Sequence, residues 1–312
     1  MRQRFRVVFI LLLGFFALVN SHAAETRSHP YRGITYIVRT ETAPRDLTMH
    51  IVQIDLSAPG LKFELTPPSG SLETIRSTTL DFLKKEHAQF AINAHFFMPF
   101  PSRQAEANLV GFAVSNGRVY SAFENPVQSY AIVADAPALN IDKSNHARIV
   151  HWNSRYKDGK HVREKVHLWT AVAGSAQIVT DGVNTVPVYE DEQHPEGLLK
   201  PGGQPKLSNA NSWYELINAR TVIGLSRDNK TLTIFTVDKA AGSKGMSLTE
   251  IANLLIQDYG VFNALNLDGG GSTTMAMQDP KTGAATIVNA SSDNPLGRRV
   301  ASNLAIFASP IQ

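Results

Sequence analysis

Cysteine is absent from the chain, which has 312 residues. A disulfide framework and a thiolate metal site are therefore impossible. A chain of this length can bury a large hydrophobic core, so it has no need of covalent cross-links. The sequence thus excludes the class of small secreted scaffolds that depend on disulfides. It remains compatible with a bacterial periplasm.

Long apolar runs are also missing, except at the N terminus. The run at residues 7–19 is shorter than the ~20 residues that span a bilayer. Three arginines precede it, and Ser21, His22 and Ala23 follow. This order is typical of a signal peptide, so residues 1–23 are predicted to be removed before Ala24. A membrane anchor is the alternative. We expect a periplasmic or secreted bacterial protein without stable membrane insertion.

The chain lacks an excess of charge of either sign once residues 1–23 are removed. The formal net charge is +3, and that segment holds three arginines and no acidic residue, so the remainder carries 3 − 3 = 0. Nucleic-acid binding normally needs a clustered basic surface. No nucleic-acid partner is therefore expected.

Repeats and heptads are absent as well, and residues 24–312 are predicted to form one domain. Alternating patterns at 33–38 and 47–54 predict strands, and Asn-Gly at 116–117 and the polar residues 227–230 predict hairpins. Capping patterns predict only two helices, one after Thr78 and one from Ser247 to Gly260. The fold class is therefore α+β or mixed α/β, rich in strands with few helices, with the active site at strand carboxyl ends.

Residues 189–213 differ from the rest in being rich in proline, glycine and acidic residues. Long segments of this kind are lids, binding loops or disordered stretches. The sequence leaves a substrate-covering lid and plain disorder open.

The most informative motif places a carboxylate and three glycines after an apolar strand. Asp268 follows the strand predicted at residues 261–267, and Gly269, Gly270 and Gly271 follow Asp268. Consecutive glycines are kept where the backbone adopts unusual angles or where a ligand approaches its N–H groups. No Lys-Ser or Lys-Thr follows them, so the motif is not a P-loop.

Several motifs in the same order resemble those of the phosphodiester glycosidase family, whose animal members remove N-acetylglucosamine from mannose 6-phosphate. The motifs span most of residues 89–308 and are NAHFF at 93–97, VSNGR at 114–118, ARTVIG at 219–224, NLDGGGS at 266–272, and Ser292-Asp293 with RRV at 298–300. The resemblance implies a glycosidase that cleaves a C1–O bond with a phosphate leaving group. Its partner would be a carbohydrate phosphate.

Such a reaction needs negative charge beside the anomeric carbon. Asp268 is the first candidate, as nucleophile or stabilising carboxylate, although a turn-capping aspartate is the alternative. Asp238 is the second, although Lys239 stands where the family has glycine. Asp293 is the third, in a loop where turn formation alone could account for it.

The departing phosphate needs hydrogen-bond donors. Arg220, and then Arg298, are the candidates, because a guanidinium can bind two phosphate oxygens at once. Structural ion pairs are the alternative. The N–H groups of the glycines and Ser272 could form an anion nest. Asn93 could hold a sugar hydroxyl or orient a carboxylate, and His95 could narrow the sugar pocket or supply a proton. Both could also simply end their strand.

No cofactor is predicted, because no zinc, EF-hand or nucleophile-elbow motif occurs. Scattered oxygens could still bind a divalent cation. The sequence does not determine the oligomeric state. Two other functions remain open: a glycan-binding protein without turnover, and a transglycosylase that uses the same site. The principal hypothesis is a hydrolase acting on a phosphate-linked sugar in an envelope or exopolysaccharide glycan.

Overall fold

The structure, a computed structural model, describes residues 23–123, 132–133, 136–200, 208–290 and 294–311. Within these ranges no helix is long and apolar enough to cross a membrane. The predicted signal peptide lies outside them, except for Ala23, so its cleavage stays a prediction.

Short strands make up most of the described chain, which confirms the strand-rich class with few helices. They are β1 (Ala24–Tyr31), β2 (Ile34–Glu41), β3 (Leu47–Asp55), β4 (Lys62–Leu65), β5 (Thr74–Ile75), β6 (Phe90–Asn93), β7 (Phe96–Met98), β8 (Glu106–Val110), β9 (Ala113–Ser115), β10 (Arg118–Ser121), β11 (Ile132–Val133), β12 (Ala138–Ile141), β13 (Ala147–Val150), β14 (Thr170–Ala173), β15 (Ala176–Thr180), β16 (Val183–Asn184), β17 (Leu199–Lys200), β18 (Arg220–Ser226), β19 (Thr231–Val237), β20 (Val261–Asn266), β21 (Met275–Gln278), β22 (Ala285–Ile287) and β23 (Asn303–Phe307).

Two antiparallel sheets dominate the architecture. The first has eight strands in the order β1-β2-β3-β19-β18-β20-β15-β16, and the second has five in the order β22-β21-β6-β23-β4. A further five-stranded sheet has the order β10-β9-β14-β12-β13, and β5-β8-β7 and β11-β17 form small sheets. The predicted strands and hairpins at 33–38, 47–54, 116–117 and 227–230 are confirmed.

The core lies on both faces of the eight-stranded sheet, because its strands alternate apolar side chains between the faces. In β3, Val52 and Ile54 pack with residues of the second sheet, including Ile92. Met49 and Ile51 point the other way and pack in a separate cluster. The result is two facing sheets with a helix on each outer side.

The two α-helices of the described chain begin at the predicted caps. Helix α1 (Thr79–Glu86) starts where Thr78 accepts the N–H of Asp81, and its Phe82 and Leu83 pack on the outer face of the second sheet. Helix α2 (Leu248–Tyr259) has the full Ser247/Glu250 capping box and ends at Gly260 in a left-handed conformation. It packs on the outer face of the first sheet through its apolar stripe.

The segment 189–213 is described except for residues 201–207. Tyr189 and Leu199 are buried and joined by a bridge, and a 3₁₀ turn (Asn209–Asn211) leads to the buried Ser212. Tyr189, Leu199 and Ser212 thus pack against the domain, while most of residues 190–198 are exposed. Movement of the segment on ligand binding stays a prediction.

Candidate active site

Asp268 lies where the two main sheets meet at one end. Leu267, just beyond β20, donates its N–H to Thr221 O on β18 at 2.9 Å, and the next N–H, that of Asp268, goes to Ala94 O beyond β6 at 3.0 Å. The chain therefore leaves the first sheet at Leu267 and joins the second sheet at Asp268. This switch fixes the backbone that carries the carboxylate, which is 9% exposed.

Burial disfavours the charged form of Asp268, and several neighbouring groups favour it. Burial raises the pKa of Asp268 to about 7. Hydrogen bonds from the Ser272 hydroxyl and the Gly269 N–H, and the positive charge of Arg298, act in the opposite direction. The carboxyl therefore titrates near neutral pH, as is common for groups at functional sites.

Arg298 is the cation that the fold brings to Asp268. Its Nη1 donates to Ser272 Oγ at 3.1 Å, and its guanidinium lies 4.7 Å from the centroid of the Phe100 ring. The charge of Asp268 supports that of Arg298, although burial lowers the pKa of the arginine. Asp268, Ser272 and Arg298 thus form one connected polar cluster.

The glycines form a tight turn in which the N–H groups of Gly269 and Gly270 are hydrogen-bonded within the protein. A 3₁₀ turn covers Gly270–Ser272, in which Gly270 has a φ of 59°. Gly270 donates its N–H to Ala219 O at 2.7 Å, and a Cβ on Gly269 would lie 3.0 Å from that same oxygen. Close approach to Ala219 therefore accounts for glycine at position 269, and the positive φ accounts for glycine at position 270. In this structure the Gly270 N–H is not directed at an anion.

Asn93, at the end of β6, holds the Asp268 turn together. Its Nδ2 donates to the Asp268 carbonyl at 2.6 Å, and its Oδ1 accepts from Thr221 Oγ1 at 2.8 Å and from the Thr274 N–H at 3.0 Å. The side chain is fully buried. Asn93 therefore orients the residue that carries the carboxylate, and both polar atoms of its amide are hydrogen-bonded within the protein.

His95 is buried without exposed surface, away from solvent. Its Nδ1 lies 2.9 Å from Ser302 Oγ, and its Nε2 lies 3.1 Å from Phe112 O and 3.0 Å from the Ala173 nitrogen, which donates to it. Burial lowers the pKa of His95 to about 4, so the ring is neutral at physiological pH. These contacts tie three segments together, and none of them reaches Asp268.

Arg220, the first residue of β18, anchors a loop. Its Nη2 donates to Trp213 O at 2.8 Å and to Leu216 O at 2.7 Å, and the guanidinium stacks 4.5 Å from the centroid of the Trp213 ring. The residue is 1% exposed. The sequence ranked Arg220 above Arg298 as the phosphate ligand, but the structure gives Arg298 the closer link to Asp268.

Asp238 lies beyond β19, in a second buried polar cluster. Its Oδ1 accepts from Asn289 Nδ2 at 3.1 Å, and its Oδ2 lies 3.4 Å from His50 Nε2. The other nitrogen of His50 lies 2.7 Å from the Tyr36 hydroxyl. Burial, and then the charge of Asp238, raise the pKa of Tyr36. Asp238 is only 3% exposed, so these protein groups, not solvent, surround its carboxylate.

Asn289 connects the two clusters and was not singled out from the sequence. Besides Asp238, its Nδ2 reaches Thr273 O at 3.2 Å, and its Oδ1 accepts the N–H of Met275 at 2.7 Å. Thr273 directly follows Ser272, whose hydroxyl contacts Asp268. Neither Asn289 nor His50 stands in a recognisable motif, so only the folded arrangement reveals them.

The two remaining predictions about the site concern Asp293 and a bound divalent cation. Asp293, with Ser292 beside it, lies outside the described residues. Within the described ranges, no group of three or more histidine, aspartate and glutamate side chains is placed to hold a metal ion.

Comparison with known proteins supports the resemblance seen in the motifs. The family model named phosphodiester glycosidase matches residues 86–307. Human N-acetylglucosamine-1-phosphodiester alpha-N-acetylglucosaminidase is 40% identical over 65 residues, which are 21% of this chain. That match spans only 12% of the human protein.

Solved structures share the fold at low sequence identity. The catalytic domain of the zebrafish N-acetylglucosamine-1-phosphodiester alpha-N-acetylglucosaminidase, auto-inhibited by its pro-peptide, has a TM-score of 0.57 and 17% identity, over 94% of this chain and 85% of that one. A protein of Burkholderia pseudomallei that is named as exported has a TM-score of 0.62 and 14% identity, over 98% of this chain and 100% of that one. Because the family model covers most of the chain, including Asp238, Asp268 and Arg298, this protein belongs to the phosphodiester glycosidase family.

Proposed function

We propose that the protein is a hydrolase that cleaves the bond between C1 of a sugar and the oxygen of a phosphodiester. The observation that carries this proposal is the cluster of Asp268, Ser272 and Arg298 at the meeting point of the two sheets. It combines a carboxylate with a cation, which are the two charges that the reaction needs. Family membership supports the same reaction.

In this mechanism the Asp268 carboxylate lies beside the anomeric carbon. It stabilises the positive charge that develops there, or attacks C1 as a nucleophile. The C1–O bond breaks, the phosphate leaves with the bonding electrons, water supplies the hydroxyl that ends on C1, and the remaining proton of that water is released to solvent. A phosphate with a second pKa of about 6 leaves without a strong general acid. Arg298 binds its oxygens as negative charge accumulates.

Asn93 and Ser272 position these groups. Asn93 fixes the Asp268 carbonyl, and the Ser272 hydroxyl contacts both the Asp268 carboxylate and the Arg298 guanidinium. The geometry is therefore set before the substrate arrives, which favours catalysis by preorganised charges.

The substrate and location are proposed more narrowly from the sequence. The sugar would belong to an envelope or exopolysaccharide glycan, reached after export and cleavage before Ala24. Mass analysis of the N terminus from an export-competent host tests this step. An intact Met1 terminus in the membrane fraction would argue against it.

Two alternatives use the same site. A glycan-binding protein would retain the cluster without turnover, and a transglycosylase would pass the sugar to another acceptor in place of water. Product analysis separates them, because only hydrolysis releases free sugar and phosphate monoester from a sugar-1-phosphodiester.

The decisive variant is Asp268→Asn, which keeps the shape of the side chain and removes its charge. We expect kcat to fall by about 10²–10³ or more, as for the loss of one electrostatic contact at a transition state. Asp81→Asn is the control, since Asp81 is exposed on α1. Near-parental kcat for Asp268→Asn would remove Asp268 from the mechanism and favour Asp238.

A further inference from the structure

Several exposed apolar side chains lie on segments that carry or contact the basic residues near the candidate site. Eleven large apolar residues of the described chain are exposed, and five of them lie on three segments that also contact or carry the basic residues of this region: Met98, Phe100, Leu216, Ile217 and Leu296. Their exposed fractions range from 37% for Ile217 to 75% for Leu296. Contiguous exposed apolar surface is typical of ligand or membrane contacts.

Each of the three segments carries or contacts an arginine or lysine side chain. Phe100 packs under Arg298, with 4.7 Å between guanidinium and ring centroid, and Leu296 precedes Arg298 by two residues. The Ile217 carbonyl accepts from Lys239 Nζ at 2.7 Å. The Leu216 carbonyl accepts from Arg220 Nη2. Arg298 and Lys239 therefore bring accessible positive charge to segments with exposed apolar side chains, whereas Arg220 is buried.

The exposed apolar residues restrict the chemistry of the aglycone, the second substituent of the phosphate. In the proposed mechanism the sugar lies at Asp268 and the phosphate at Arg298, and Phe100 and Leu296 are the exposed apolar residues beside Arg298 that a second phosphate substituent could contact. A sugar-like aglycone would leave this apolar surface exposed or require hydrogen-bond partners there. An alkyl or prenyl chain would bury it, and each buried methylene favours binding.

We propose that the aglycone is an apolar chain, so that the substrate is a sugar linked through phosphate to a lipid. This inference rests on the proposed function and deepens it. The apolar surface of Phe100, Leu296, Leu216, Ile217 and Met98 then binds the first methylenes of the chain, while Arg298 binds the phosphate to which the chain is attached.

A pair of synthetic substrates tests the proposal directly. The same sugar-1-phosphate is prepared as its methyl diester and as its decyl diester, and both are assayed below the micelle concentration. We expect kcat/KM to favour the decyl diester by at least about tenfold, since several methylenes would be buried. Equal values, or a preference for the methyl diester, would overturn the apolar aglycone and favour a glycan.

Variants locate the preference on the surface. In Leu296→Ser and Leu216→Ser the ratio of decyl to methyl kcat/KM is expected to fall toward one. Val183→Ser is the matched control, because Val183 is 61% exposed on β16, the edge strand that lies three places from β18 in the first sheet. An unchanged ratio in both test variants would show that the chain binds elsewhere and would overturn the assignment of this surface.

A binding experiment keeps this inference separate from the proposed reaction. Calorimetry compares decyl phosphate with inorganic phosphate on the parent protein and on Leu296→Ser. Tighter binding of decyl phosphate by about tenfold, lost in the variant, would support the apolar site even if neither diester were cleaved. Equal binding of the two phosphates would overturn it whether or not cleavage occurs.

Discussion

The charge of Asp268 depends on a balance among its immediate neighbours. Burial raises its pKa to about 7, and the neighbouring donors and Arg298 restrain the rise. A carboxylate that must be ionised would then be half protonated near neutral pH. The pH dependence of the reaction is therefore a direct readout of this cluster.

We expect kcat/KM to fall as the pH drops below about 7, because protonation removes the charge needed at the anomeric carbon. In Arg298→Gln the positive charge is lost, so the pKa of Asp268 should rise further and the fall should begin at higher pH. Arg298→Lys keeps the charge and should leave the midpoint near the parental value. The measurement is kcat/KM against pH for the three proteins. An unmoved midpoint in Arg298→Gln would contradict this coupling.

Asn289 is expected to act on the fold of the site more than on the substrate. Asn289→Ala leaves the Met275 N–H and the Thr273 carbonyl without their partner in a buried region. Loss of a buried partner costs about 1–3 kcal/mol. Thermal unfolding should therefore occur at lower temperature.

A second variant at this position separates hydrogen bonding from charge. Asn289→Asp keeps an acceptor for Met275 but brings a carboxylate against Asp238, and two like charges disfavour ionisation of both. Its loss of stability should therefore be larger at pH 8 than at pH 4. If both variants unfolded at the parental temperature at every pH, Asn289 would have no role in holding the Thr273 backbone.

At the scale of elements, Arg220 joins β18 to the loop that precedes it. The guanidinium contacts the Trp213 and Leu216 carbonyls and the Trp213 ring, and Trp213 in turn packs on Phe96 of β7 with 5.7 Å between ring centroids. Through Trp213, the Arg220 side chain thus connects the first sheet, the end of the segment 189–213 and β7 of the three-stranded sheet β5-β8-β7.

Lysine lacks the planar guanidinium of Arg220, so the side chain of Arg220→Lys cannot make all of these contacts at once. We expect lower thermal stability, faster hydrogen exchange in residues 208–216, and equal losses of activity on phosphodiester and uncharged aryl glycosides. Arg227→Lys is the matched control, since Arg227 also stacks on an aromatic ring, that of Phe262, but is exposed. A selective loss on phosphodiesters with unchanged stability would return Arg220 to the role of phosphate ligand.

Local signals in the sequence predicted the elements well. Both helix starts, the Asn116-Gly117 hairpin and the strand before Asp268 depend on residues within a few positions of one another. The roles of Asn93 and His95 depend on partners far along the chain, such as Thr274 and Ser302. Single-sequence patterns carry no information on such pairings, so the sequence left a sugar contact, a catalytic role and a structural role open for these residues.

Across the whole molecule, the site exists because two antiparallel sheets converge at one end. Strand β20 continues through Leu267 in the first sheet, and Asp268 pairs with Ala94 of the second. The sequence indicated that Asp268 ends a strand, and the three glycines that follow, together with the family resemblance, indicated that this strand end is functional. The convergence also explains the burial that raises the pKa of Asp268.

The burial of Asp268 makes the stability of the folded protein depend on pH. The pKa of Asp268 is about 7 in the folded protein and about 3.9 in an unfolded chain, so the folded state binds the proton more tightly. The stability that this proton provides is fully present below about pH 4 and is lost as the pH rises through about 7. Asp268→Asn has no proton to lose there.

We therefore expect Asp268→Asn to unfold at a higher temperature than the parent at pH 8, and the difference to shrink steadily toward pH 4, where both side chains are neutral. Thermal unfolding from pH 4 to pH 8 measures this, with Asp81→Asn as the control that should show no such trend. A difference independent of pH would mean that Asp268 is ionised throughout, held by Arg298 and Ser272 more strongly than burial opposes it. The same titration thus decides whether the enzyme meets its substrate with a preformed charge or must first release a proton.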